Sequence, residues 1–76
     1  MPLYFFNVYS EHAELDDAGE ELPDAHAARR LATVTTGQII QDLDGKLHLG
    51  KEWRMEVTDE FANLLYIIRV CAEKPR

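Results

Sequence analysis

The side chains in this 76-residue chain best suited to nucleophilic, acid-base or soft-metal chemistry are three histidines and one cysteine. His12, His26 and His48 fall on a turn, a first helical turn and a loop, and no two stand at the i, i+4 spacing of a helical zinc pair. They read as surface histidines. Cys71 has no second thiol, which excludes an internal disulfide and a cysteine-built zinc cage, and no nucleophile signature surrounds it. It reads as a buried or half-buried spectator near the end of the last strand.

The carboxylates are concentrated instead. Residues 11 to 24 hold Glu11, Glu14, Asp16, Asp17, Glu20, Glu21 and Asp24 with no Lys or Arg, while the rest of the chain has eight basic and seven acidic residues. The formal net charge of −6 therefore belongs to this one segment. Asp16, Asp17 and Glu20 could offer oxygens to calcium, but their spacing lacks the regular alternation of an EF-hand loop, and no metal ligand set is assigned. The segment reads as a solvated acidic hairpin. Glu14, Asp16, Asp17 and Glu20 form a candidate docking surface for a basic partner, which complementary charge would steer and salt would weaken.

Enzymatic and nucleotide chemistry find little support. Paired carboxylates need a cleft that shifts one pKa, and a single small domain has little room for a deep one. The glycines Gly19, Gly37, Gly45 and Gly50 are scattered, so no phosphate loop exists. The expectation is no catalytic residue, no cofactor and no enzyme. Tyr4, Phe5, Phe6 and Tyr9 could stack on single-stranded bases, yet the acidic segment beside them repels phosphate, so nucleic acid is not expected as a partner.

The elements that must position these residues follow from periodicity. With 46% hydrophobic and 29% charged residues, the chain reads as one globular domain over residues 1–76, with residues 72–76 a flexible tail. Residues 3 to 9 alternate Tyr4, Phe6 and Val8 against Leu3, Phe5, Asn7 and Tyr9, the pattern of a strand with rings on both faces. Asp16-Asp17-Ala18-Gly19 is turn chemistry, suggesting a hairpin into a short strand near Glu20 to Leu22. Asp24 then caps a helix whose apolar positions are Ala28, Leu31, Ala32, Thr35 and Ile39. Thr33 to Gly37 is its weak point, where β-branched residues precede a glycine, and Asp44-Gly45 is the expected stop. A connection over residues 46–52 is pinned to the core by Leu47 and Leu49. Trp53, Met55 and Val57 alternate with polar residues, a turn follows at Asp59 to Asn63, and Leu64 to Val70 completes an antiparallel hairpin. The fold class is α+β, order β-β-α-β-β, a single antiparallel sheet with one helix packed on one face.

Three motifs are recognisable. Met1-Pro2-x-Tyr4-x-Phe6-x-Val8, Asp17-Ala18-Gly19-x-Glu21-Leu22-Pro23-Asp24 and Trp53-x-Met55-Glu56-Val57-Thr58-Asp59-Glu60 run along most of the chain. Together they resemble a large family of short, mainly alphaproteobacterial proteins catalogued as a domain of unknown function. Two positions depart from that pattern: Asn7 stands where the family often has His, and Ala62-Asn63 where it usually has Gly, with Asn63 expected to accept the left-handed conformation. The resemblance implies no activity, cofactor or catalytic residue.

The apolar runs are too short for a bilayer, and the start lacks the basic region of a signal peptide, so a cytoplasmic protein without a membrane partner is expected. One helix of about 18 residues cannot cover both faces of strands that are apolar on both. A non-catalytic protein-interaction module is therefore expected, a homodimer burying Phe5, Tyr9, Leu65 and Ile67 or a module holding another protein. The alternative is a small-ligand or divalent-metal binder using the acidic hairpin 11–24.

Overall fold

The computed structural model describes residues 1–43 and 50–75. Its order is β1 (Leu3–Tyr9), β2 (Ala13–Glu14), β3 (Glu20–Glu21), α1 (Ala25–Asp42), β4 (Glu52–Asp59) and β5 (Leu64–Cys71). All pairings are antiparallel, in the order β2-β1-β4-β5 with β3 also on β1, so the fold is α+β with one helix on an open sheet. The expected second strand is split in two. Ser10 to His12 makes the hairpin turn, which returns as β2 beside Val8 and Tyr9; residues 15–19 then arch away before β3 rejoins at Leu3 and Tyr4. Asp16-Asp17-Ala18-Gly19 is thus an arch within the returning strand and not the hairpin turn, because Asp16 reaches β1 through side-chain bonds where a regular strand would pair backbone to backbone: its carboxylate accepts the Phe6 N–H, and its own N–H donates to Asn7 Oδ1.

β4 is an inner strand, flanked by β1 and β5, and its alternate residues Trp53, Met55 and Val57 are buried with Tyr4 in the core. The helix rests on β4 and β5 through Ala28, Ala32 and Thr36, small residues four apart that let its backbone approach the large sheet side chains closely. Leu31, Thr35 and Ile39 are only half-buried on the flank of that stripe. Asp24 caps the helix by accepting the Ala27 N–H at 2.9 Å, satisfying one orphan donor. The helix runs unbroken through Thr33 to Gly37: the Thr33 hydroxyl donates back to the Arg29 carbonyl, and the Thr36 hydroxyl donates to Met55 Sδ at 3.7 Å. The expected stop at Asp44-Gly45, and Leu47, His48 and Leu49, lie outside the described residues.

The β4–β5 turn is held by Asp59, whose carboxylate accepts the Phe61 and Asn63 backbone N–H groups and the Asn63 side-chain amide, each at 2.9 Å. The left-handed residue is Ala62, with φ of 64°, and not Asn63. Asn63 instead supplies the amide that ties down Asp59, so the strain falls on its neighbour. A register shift between Val57 and Thr58 bulges Leu65 out of the ladder at the start of β5.

Candidate functional site

The sheet face opposite the helix has no element packed on it among the described residues. Strand alternation sends Phe5, Asn7 and Tyr9 of β1, Arg54, Glu56 and Thr58 of β4, and Ile67 and Arg69 of β5 to it. Register places Tyr9 beside Arg54 and Arg54 beside Arg69, then Asn7 beside Glu56 and Glu56 beside Ile67. The Arg54 guanidinium lies 4.6 Å from the Tyr9 ring centre, a cation–π contact, and its Nε lies 2.7 Å from Glu56 Oε2. That Nε is buried and meets Glu56 as an ion pair without hydrogen-bond geometry. Arg69 Nε pairs with Glu52 Oε1 at 2.8 Å.

Phe5, Tyr9 and Ile67 are half-buried, and Leu65 is 40% exposed. The Arg54–Glu56 pair separates Tyr9 from Ile67. Phe5 packs instead against the acidic arch: a Cβ on Gly19 would stand 3.0 Å from its ring. Register sets Leu64 opposite Thr58 on this face, in place of the expected Leu65, which lies in the bulge; the face is thus amphipathic, polar toward Tyr9 and apolar toward Phe5, Leu64 and Ile67.

Of the candidate docking acids, Glu14, Asp17 and Glu20 are exposed, while Asp16 has another task. Its Oδ2 accepts the Phe6 N–H at 3.2 Å and its Oδ1 accepts those of Ala18 and Gly19 at 3.1 and 3.0 Å. Asn7 Oδ1 accepts the Asp16 N–H in return at 2.9 Å. Burial pushes the Asp16 carboxyl up, but the Gly19, Phe6 and Ala18 N–H groups outweigh it and hold the group below its ordinary value. The Asn63 side chain and backbone, with a lesser contribution from Phe61, likewise hold Asp59 low against its slight desolvation. Both are ionised at neutral pH and committed to loop backbone.

His12 and His26 are exposed and far apart in the fold, one on the hairpin turn and one in the first helical turn. Cys71 is exposed at the end of β5, not buried or half-buried, because β5 has no neighbour on its outer side among the described residues. Among the described residues, no three His, Cys, Asp or Glu side chains group as metal ligands, and no helix is long and apolar enough to cross a membrane. One depression, of about 830 Å³, opens at the hairpin end of the sheet, with Val8, Ile39, Leu43 and Trp53 as apolar lining and His12, Glu14 and Lys51 at its polar part.

The family model for the domain of unknown function DUF6894 matches residues 3–71, from the first strand to the last. The chain belongs to that family. No curated protein and no solved structure matches it. The DUF6894 match spans the whole sheet and helix, and the family carries no activity to transfer. The Tyr9–Arg54–Glu56 cluster and the Asn7–Asp16 exchange escaped sequence reasoning, because both depend on which strand lies beside β1.

Proposed function

We propose that this DUF6894 protein is a non-catalytic interaction module of the cytoplasm that homodimerises through its sheet. The observation that carries this reading is the helix covering one sheet face only, leaving Phe5, Tyr9 and Ile67, with Leu64 in place of the expected Leu65, on a face with no covering element among the described residues. Apolar surface of this kind is stabilised by burial at roughly 25 cal/mol per Å², and a domain this small gains proportionally more from a partner than a large one. A non-catalytic role is supported by the two carboxylates with perturbed pKa values, since both are lowered and tied to loop backbone. Sedimentation at micromolar concentration should give twice the 8.7 kDa chain mass; a single 8.7 kDa species would remove the dimer.

The depression beside His12 and Glu14 supports a second reading, a small-ligand or divalent-metal site on the acidic hairpin. Its size lies within the range of about 300–1,000 Å³ usual for ligand pockets. Calorimetric titration with calcium, magnesium, zinc and manganese discriminates: heat accompanied by a raised melting temperature supports it, and neither signal removes the metal form.

A further inference from the structure

We propose that the second copy of this chain pairs with the outer edge of β5, unpaired among the described residues, antiparallel and about a two-fold axis at Ile68, so that two sheets become one. This rests on the reading that the protein self-associates through its sheet, and it assigns the contact to an edge and not to the uncovered face.

β5 is eight residues long, and its outer edge is regular from Tyr66 to Cys71, beyond the bulge, with Arg69 as its one charged residue. Gly50 donates its N–H to the Ala72 carbonyl at 2.7 Å, which turns the backbone of Ala72 toward β4. By alternation Val70, Ile68 and Tyr66 also turn their N–H and C=O groups inward, and Cys71, Arg69 and Ile67 present theirs to the outside. Such a row is a template for another strand.

The side chains add a second argument. Tyr66, Ile68 and Val70 face the core side, yet remain half-buried while Trp53, Met55 and Val57 on the neighbouring strand are buried. What they lack is a flank. A copy related by a two-fold axis at Ile68 supplies it, setting Ile68 against Ile68 and Tyr66 against Val70 on the core side. The charges select this register over the neighbouring one centred on Arg69, which would oppose two guanidinium groups. Centred on Ile68, each Arg69 faces an Ile67, with its own Glu52 2.8 Å away. The axis stands normal to the sheet, so both helices lie on the same face. Because α1 rests on β4 and β5 alike, strands spaced about 4.8 Å apart bring the two helix axes to roughly 10 Å, a packing distance.

The test compares four full-length proteins by sedimentation at micromolar concentration and by circular dichroism. Ile67→Pro removes an outward N–H without touching the β4 ladder, and should turn a wild-type dimer into monomer with unchanged helical signal. Tyr9→Glu, on the uncovered face far from β5, should leave the dimer within a few-fold of wild-type affinity. Ile68→Cys in a Cys71→Ser background should form an interchain disulfide on mild oxidation, because a non-hydrogen-bonded antiparallel pair holds its Cα atoms about 4.5 Å apart. A dimer broken by Tyr9→Glu but kept by Ile67→Pro would overturn the edge contact and leave self-association through the sheet standing. Monomeric wild type would overturn both. If Ile67→Pro does not fold, the disulfide decides alone, and its absence overturns the proposal.

Discussion

The two lateral edges of this sheet differ in nearly every property that governs strand pairing. On one side the strand is split into two dipeptides, β2 and β3, whose exposed residues Glu14, Glu20 and Glu21 line the rim with charge. Residues 15–19 arch between them, and Asp16 fills the gap in the ladder with a carboxylate. On the other side β5 runs eight residues with Arg69 as its one charged member. Short length, interruption and charge are the devices that stop an edge from recruiting another chain, and one edge has all three. The acidity of residues 11 to 24 lies largely along that edge, and the less protected edge, broken only by the Leu65 bulge, lies opposite.

The comparison can be broken from its middle. Trp53 is 6% exposed on the strand shared by both halves, so Trp53→Ala should cost about 3 to 5 kcal/mol and loosen both edges together. Chemical denaturation measures the loss; a midpoint near wild type would show that the core does not depend on that ring.

Asp16→Ala should act on one edge alone. Three backbone N–H groups lose their acceptor, at a total cost of about 2 kcal/mol, and hydrogen exchange at Phe6 should accelerate while Ile68 stays protected. Equal acceleration at both positions would show the edges to be one cooperative unit. The same carboxylate sets a pH dependence. Its pKa is lower folded than unfolded, so its stabilisation is complete above the unfolded value of about 3.9 and is lost as pH falls through the folded one. Below about pH 4 wild type should lose its margin over Asp16→Asn. A constant margin in urea melts down to pH 2 would contradict this.

Gly19→Ala strains the arch twice, through φ of 78° and through a Cβ 3.0 Å from the Phe5 ring, and should cost about 1 to 2 kcal/mol. An unchanged melting temperature would mean that the arch relaxes freely. The smallest effect belongs to the turn that feeds β5. Ala62→Gly relieves a left-handed alanine and should stabilise by about 1 kcal/mol, raising the melting temperature by about 4 to 8 °C. A lowered melting temperature would show that the flexibility glycine adds to the unfolded chain outweighs the relief.

Much of this architecture was legible along the chain. The Asp24 cap, the 3.6-residue spacing of Ala28 and Ala32, and the two-residue spacing of Trp53, Met55 and Val57 are local signals, and the structure realises each of them. Asp16 to Gly19 reads along the chain as a hairpin turn because turn chemistry looks the same there and in a break of a returning strand; the difference is the Phe6 amide ten residues earlier in the chain. Propensity favours asparagine for positive φ, yet Asn63 is held by its bonds to Asp59 and Ala62 takes the left-handed conformation.

The element types, the apolar content of both sheet faces and the confinement of charge to residues 11 to 24 follow from near neighbours along the chain. That β4 lies between β1 and β5, which buries Trp53, joins Arg54 to Tyr9 and leaves β5 at the edge of the described sheet, emerges from strand pairing in three dimensions. The reason is physical: strand order follows from long-range pairing across the helix, and a period-two pattern names which face a residue takes but not which strand stands beside it.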